Sequence, residues 1–220
     1  DVTQSRVIPL FPLGSVLVPG LVFPLHIFEP RYRQMVDDLA VLPEDDRGFG
    51  IIAIREGHEV GTDGVSALFD VGTFASLREI TLYDDGRSDI VTVGTERFRV
   101  LRLLEGSSYL QAEVMPLPEE PGDAAEPLAQ SVAAHFGEYR ALLSDEEDDV
   151  ELPDDPRVLS YLVAAAVVAD LPRRQAFLEA DDDSQRLREE LRFLRSETAL
   201  IAQVPSLPAV DLARESFGVN

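Results

Sequence analysis

The spacing of apolar residues changes once along this 220-residue chain, close to residue 118. Before that point, short runs of β-branched and aromatic residues are separated by Gly, Pro and Asp, which is typical of short strands joined by turns. After it, apolar residues recur every three or four positions, which predicts helices. We therefore expect an α+β fold, with a β pseudo-barrel over residues 1–118 and an α-helical bundle over residues 119–220.

In the first half we expect extended segments at 7–13 and 15–25, with a turn at Pro19-Gly20. One short helix should follow, because Glu29-Pro30 is typical of a helix start. Its apolar face is predicted from residues at helical spacing, namely Tyr32, Met35, Val36 and Leu39. Further along, Asp84-Asp85-Gly86-Arg87 separates two strand-like runs and predicts a hairpin turn.

In the second half, an apolar stripe from Leu128 to Leu143 predicts one helix. The run 158–169 is apolar on nearly all sides and predicts a central helix, since it is shorter than the roughly 20 residues that span a bilayer. A heptad-like stripe from Leu187 to Ile201 predicts the last helix. We expect a solvated acidic loop near residues 145–155, because like charges repel, and an extended tail after Val204.

The formal net charge is −22, which argues against nucleic acid as a partner because phosphate binding requires clustered Lys or Arg. More than half of this excess lies in residues 119–155, which hold thirteen acidic residues and one arginine. Residues 1–36 carry a net charge of +1, so a local basic face could still form. No basic stretch precedes a long apolar run, so neither a secretory signal nor a membrane partner is expected.

The sequence contains neither Lys nor Cys. Without Lys, neither a Ser–Lys protease dyad nor a phosphate-binding GxxxxGK[ST] loop can form, and without Cys there is no thiol nucleophile or thiolate metal site. His26 and His135 are more readily explained as structural residues, and His58-Glu59 has Thr62 where a zincin motif has its second His. The Asp residues near 84–89 lack calcium-loop spacing. We therefore expect no catalytic, metal-binding or cofactor-binding residues. It follows that we expect neither a cofactor nor enzyme activity.

Several segments together resemble the N-terminal, substrate-binding domain of the Lon protease family. The first runs from Ile8 to Tyr32 and reads IPLFPLGSVLVPGLVFPLHIFEPRY. The others are Phe69-Asp-Val-Gly-Thr73, Val93-Gly-Thr-Glu-Arg-Phe-Arg-Val100, Asp170-Leu-Pro172, Leu178-Glu-Ala-Asp181 and Arg186-Leu187. The resemblance covers almost the whole chain, and it is the combination of segments that makes it specific.

This resemblance implies a PUA-like β-domain followed by a helical bundle. It also implies a non-catalytic, cytoplasmic recognition module that binds unfolded or degron-bearing polypeptides, or a protease or chaperone partner, as an adaptor in proteolysis. An apolar groove beside the short helix or between the two domains is the expected binding place. Candidate contact residues are Arg31, Tyr32 and Arg97, although core packing for the tyrosine and solvated or structural roles for both arginines are favoured over binding.

Three alternatives stay open at this point. A PUA-like fold could bind RNA if the arginines formed one basic face, although fold analogy is weak evidence for function. The candidates for that face are Arg31, Arg33, Arg97, Arg99 and Arg102. An exposed apolar surface could equally serve a homo-oligomer. A hydrolase is the least favoured alternative, because the lysine that the Lon dyad requires is absent.

Overall fold

The computed structural model of the protein describes residues 4–55, 67–144 and 150–203. The strands of the described residues are β1 (Arg6–Leu13), β2 (Val22–Ile27), β3 (Gly48–Ala53), β4 (Val71–Leu82), β5 (Ser88–Leu104) and β6 (Gln111–Pro116). The α-helices are α1 (Pro30–Ala40), α2 (Ala125–Leu143), α3 (Pro156–Ala166), α4 (Leu171–Glu179) and α5 (Asp183–Gln203), and a 3₁₀ turn at Glu44–Asp46 precedes β3. The α+β class expected from the sequence is confirmed.

The sheet closes on itself because β5 is long enough to have different neighbours at its two ends. Its first residues pair antiparallel with β2, and its last residues pair antiparallel with β6. The remaining order runs β5, β4, β3, β1, β6, and β1 lies parallel to β3. Strands β5, β4, β3, β1 and β6 therefore form a closed barrel, which is the predicted pseudo-barrel, and β2 extends it at one edge.

Local sequence explains two of these elements directly. The four apolar residues predicted for the short helix are the four that α1 buries, and Pro30 occupies its first turn, where a missing N–H costs nothing. The predicted hairpin turn joins β4 to β5, with Gly86 at φ 83°, a conformation that glycine adopts without a Cβ clash. Both expectations are confirmed.

Three expectations differ from the structure in detail. The segment predicted as extended from residue 15 forms a connecting loop up to Leu21, and β2 begins only at Val22. Helix α2 buries Val132, Phe136 and Tyr139 but leaves its last two leucines about half exposed. Helix α3 is exposed along one side, where Val158 keeps 53% of its surface. The predicted run of acids at 145–149 and the tail after Val204 lie outside the described residues.

The barrel and the helices share one apolar core. Val16, Val18 and Val71 from the β-half belong to the same cluster of buried residues as Phe136, Leu159 and Phe177 from the helices. A second cluster lies between α1 and the barrel, and a third lies inside the barrel. The change from strands to helices falls between Pro116 and Ala125. The division into two domains stays a prediction, because the two halves share this core.

Candidate functional site

An apolar groove lies where the barrel meets the helices. One wall is the loop between β1 and β2, and the other is the exposed side of α3; the volume is about 400 Å³. We call it the junction groove, and its lining residues are Val18, Pro19, Gly20, Leu21, Val158, Tyr161, Leu162, Ala165 and Ala166. None of these lining residues carries a charge, so the groove is suited to apolar groups.

The loop wall is held in place by hydrogen bonds to β5. The amide of Gly20 donates to the carbonyl of Gly94 at 2.8 Å, and the amide of Gly94 donates to the carbonyl of Leu21 at 2.9 Å. The carbonyl of Val18 would lie only 2.4 Å from a Cβ on Gly94, so this approach requires glycine at that position. The loop is therefore a fixed wall, because the barrel positions its backbone.

The helical wall begins with a well-formed cap. The carboxylate of Asp155 accepts the amides of Arg157 and Val158 at 2.9 and 3.0 Å, which satisfies two N–H groups at the start of α3. Ala165 and Ala166, one turn or more further along, have side chains too small to fill the space in front of them. The groove is thus open because α3 presents alanines where a larger side chain would close it.

The floor of the groove is Tyr161, whose other side faces buried charge. The guanidinium carbon of Arg186 lies 3.9 Å from the centre of the Tyr161 ring, within cation–π range. Burial raises the pKa of Tyr161 well above its usual value, against the opposing effect of Arg186 and Arg97, and the Tyr161 hydroxyl donates to Glu119. Tyr161 thus connects the apolar groove with the ion pairs behind it.

Those ion pairs form what we call the junction ion cluster, made of Arg97, Glu119 and Arg186. Arg186 is fully buried and binds Glu119 through two parallel bonds, from Nη1 to Oε1 at 2.8 Å and from Nη2 to Oε2 at 2.9 Å. Nη1 of Arg97 donates to the carbonyls of Leu178 and Ala180, both at 2.7 Å. The cluster therefore links β5, the segment after β6 and the helices across the junction.

The charges of this cluster are maintained by mutual contact. Burial alone would raise the pKa of Glu119, but the hydrogen bond and the charge of Arg186 hold that pKa below its usual value. Burial lowers the pKa of Arg97, while Glu119 opposes this effect. Because a guanidinium titrates far above neutral pH, both arginines stay charged, and Glu119 is the carboxylate that compensates them.

Glu190, one turn after Arg186 on α5, is a buried acid of the opposite kind. Neither of its carboxylate oxygens has a hydrogen-bond partner among the described residues, and burial raises its pKa well above the usual value despite the charge of Arg186. A raised folded-state pKa means that the folded protein prefers neutral Glu190. The contribution of neutral Glu190 to the free energy of unfolding is complete below the unfolded-state pKa of about 4.3, and it is lost as pH rises through the folded-state pKa.

We therefore expect Glu190→Gln to stabilise the protein at neutral pH, because the amide has the same shape and no charge to bury. Urea unfolding midpoints are measured from about pH 4 to about pH 8. As the pH rises, the midpoint of the original protein should fall relative to that of the variant, which lacks the ionisation of Glu190. Glu138→Gln, at an exposed position of α2, serves as the control and should leave the pH profile unchanged. Equal pH slopes for Glu190→Gln and the original protein would contradict a neutral Glu190.

The structure brings together two of the three predicted contact residues. Nε of Arg31 donates to Glu29 at 3.0 Å, and its guanidinium lies 4.7 Å above the ring of Tyr32. Tyr32 is buried, with its ring 4.1 Å from that of Phe11. Arg97 lies instead in the junction ion cluster and is 3% exposed. A partner could not reach Arg97 unless the junction opened, so we assign it a structural role, whereas partner binding by Arg31 and Tyr32 stays a prediction.

The basic face that RNA binding requires does not form as expected from the sequence. Arg97 points into the protein, so it cannot belong to any exposed face. Arg31 is paired with Glu29, and Nε of Arg102 donates to Glu113 at 2.7 Å. One of the five candidate arginines is thus buried and two lie beside a carboxylate, so the five do not form a face of unpaired charge, and RNA binding is not favoured.

The sequence predicts an apolar groove either beside the short helix or between the two halves, but it does not predict the residues behind the junction groove. Glu119 belongs to the acidic stretch 119–155, and nothing in its neighbours in the sequence indicates burial. Arg186 could have been suspected, because it adjoins Leu187 in the predicted apolar stripe of α5 and both side chains are buried. Its pairing with Glu119 joins residues 67 positions apart, which no local pattern predicts.

The described parts of the chain show the surroundings of the possible metal ligands and of two histidines. There, no group of three or more His, Cys, Asp or Glu residues could hold a metal ion. His26 is hydrogen-bonded to Asp89, and His135 to the carbonyl of Ser131. His58, the third histidine, lies outside the described residues. Within residues 4–55, 67–144 and 150–203, no helix is long and apolar enough to cross a membrane.

Two solved structures have a fold similar to that of this chain. The chain is similar to a Lon N-terminal domain protein from Xanthomonas campestris, with 26% identity and a TM-score of 0.62, covering 86% of this chain and 98% of that one. It also shares the fold of the N-terminal domain of a Mycobacterium avium complex Lon protease, with 20% identity and a TM-score of 0.62, covering 88% of this chain and 98% of that one.

Sequence comparison gives the same family. The chain is 26% identical over 206 residues to the Lon protease of Azorhizobium caulinodans, covering 90% of this chain and 23% of that protein. It is 27% identical over 201 residues to the Lon protease of Escherichia coli K12, covering 88% of this chain and 25% of that protein. The chain thus spans about a quarter of the length of these relatives. Residues 7–196 match the family model described as the ATP-dependent protease La (LON) substrate-binding domain, and the chain belongs to that family.

Proposed function

We propose that this protein is a non-catalytic module that binds polypeptide segments in its junction groove and acts as an adaptor for a protease or chaperone in the cytoplasm. Two observations support the proposal. The matched family is a substrate-binding domain, and the groove is an apolar concavity with fixed walls. The second observation carries the argument, because it locates a surface where an unfolded segment could bury apolar side chains.

The dimensions of the groove fit weak and reversible binding. A volume of about 400 Å³ lies at the small end of typical ligand sites, so it accommodates a few side chains rather than a folded partner. Each fully buried Leu or Val side chain contributes about 1.5–3 kcal/mol, and ordering the bound segment consumes part of that gain. Affinities in the micromolar range are therefore expected, which suits a module that must release its client.

Filling the groove is the direct test. We expect Ala166→Tyr to weaken binding about tenfold or more, because the ring would occupy the space in front of α3. The measurement is fluorescence anisotropy with labelled, reduced and carboxymethylated α-lactalbumin, which stays unfolded. Ala199→Tyr, at an exposed position of α5 that does not line the groove, is the matched control and should bind normally.

Three outcomes would count against this proposal. One is equal binding by Ala166→Tyr and Ala199→Tyr, which would place the client elsewhere. Another is no binding of unfolded protein at all. The third is a dimer in sedimentation that Ala166→Tyr converts to a monomer, because the groove would then be occupied by a second copy of the chain.

A further inference from the structure

The junction groove continues into a second concavity with a different character. Val158, which is half exposed, lines both of them, so the two concavities adjoin at this residue. The second concavity has a volume of about 720 Å³ and lies between the start of α2, the start of α3 and the start of α5. We call it the acidic basin, because four carboxylates and one guanidinium line it: Asp123, Glu126, Asp155, Asp183 and Arg157.

The negative charge of the basin is not neutralised by its own surroundings. Asp155 and Asp183 accept backbone amides, so part of their charge serves the local structure. Asp123 and Glu126 are exposed, and within the described residues neither has a hydrogen bond or an ion pair. The single cation, Arg157, lies 3.9 Å from Glu119 and is directed toward the junction ion cluster. The basin therefore presents carboxylates that lack a partner.

We infer that the groove and the basin form one bipartite site for a polypeptide segment in which an apolar stretch adjoins lysine or arginine. The apolar side chains would occupy the junction groove, and the cation would cross Val158 to reach Asp123 and Glu126. This inference rests on the proposed function and names the class of client. It adds a charge preference that the groove alone cannot impose, because no charged residue lines the groove.

Charge complementarity favours this occupant over others. The chain carries a net charge of −22, and a field of that sign repels acidic segments and attracts basic ones before contact. A cation that reaches the basin meets two unpaired carboxylates at short range, where screening by salt is weakest. A divalent metal ion is a poorer fit, because no metal-holding group of three or more ligands occurs in the described residues.

The test uses three labelled peptides with the same apolar block of leucine and valine, followed by Lys-Arg-Lys, Ser-Gly-Ser or Glu-Asp-Glu. We expect the basic peptide to bind about tenfold more tightly than the neutral one at low salt, and the difference to shrink as the salt concentration rises. Asp123→Asn/Glu126→Gln should abolish the difference. Asp37→Asn/Asp84→Asn removes the same charge at exposed positions that do not line the basin, and should preserve it.

The remaining outcomes separate the two proposals. Equal binding of all three peptides would overturn the bipartite site and leave the proposed function standing, provided that Ala166→Tyr still weakens binding. No binding of any peptide would overturn both. A preference for the basic peptide that both double variants reduce equally would reflect the overall charge, and would likewise overturn a role for the basin.

Discussion

Replacing Arg186 with alanine is expected to lower the free energy of unfolding by about 3–5 kcal/mol. The guanidinium is fully buried and donates to Glu119, to the carbonyl of Phe177 and to the hydroxyl of Ser160. Without it, the buried carboxylate of Glu119 keeps only more distant positive charge, and the Phe177 carbonyl loses its donor. Urea unfolding at neutral pH measures the effect.

Arg188→Ala is the control for this prediction, because Arg188 is exposed on the same helix and should change stability by about 0.5 kcal/mol at most. The cycle that combines Arg186→Ala with Glu119→Gln should show strong coupling, so that the double variant loses less stability than the two single variants together. Additive losses would mean that the two side chains do not depend on each other, contrary to their bidentate geometry.

Gly94→Ala is expected to destabilise the protein by about 1–3 kcal/mol and to weaken client binding. A Cβ at this position would lie 2.4 Å from the carbonyl oxygen of Val18. A backbone carbonyl, unlike the end of a flexible side chain, cannot move without the rest of its loop. The loop between β1 and β2 must shift, which breaks its hydrogen bonds to β5 and displaces one wall of the junction groove. Urea unfolding and anisotropy with the unfolded α-lactalbumin probe report the two effects.

Gly137→Ala makes the same chemical change with the opposite expected sign. Gly137 is an exposed residue within α2, and a Cβ there meets nothing within 4 Å. Alanine should therefore stabilise the protein by about 0.5–1 kcal/mol through its higher helix propensity, with client binding unchanged. If both variants behaved alike, the close approach at Gly94 would not determine the position of the loop.

Elements defined by a local pattern could be predicted from the sequence. The stripe of α1 and the turn before β5 follow from residue spacing and turn chemistry, which act over a few positions. The exposed end of α2 and the uncovered side of α3 could not be predicted, because apolar periodicity shows which face is apolar but not whether another element covers it. In α3 that uncovered apolar side forms part of the junction groove.

For the candidate site, the sequence predicts the type of binding surface but not the residues that form it. An apolar groove between the halves follows from the general properties of binding sites, whereas its walls depend on which loop the barrel holds against α3. Arg97 illustrates the difficulty, since a strand residue between Glu96 and Phe98 gives no sign that its guanidinium reaches carbonyls more than 80 positions away. Tertiary contacts of this kind decide whether an arginine supports the fold or meets a partner.

The closed barrel has a consequence for solubility. An open strand edge offers unpaired backbone groups to any extended chain nearby, and such pairing is how aggregates begin. Among the described strands, closure through β5 and β6 leaves β2 as the outermost one, and its third residue, Pro24, has no N–H to donate. A protein proposed to bind unfolded chains therefore offers them an apolar side-chain groove, while its outermost described strand is interrupted by a proline.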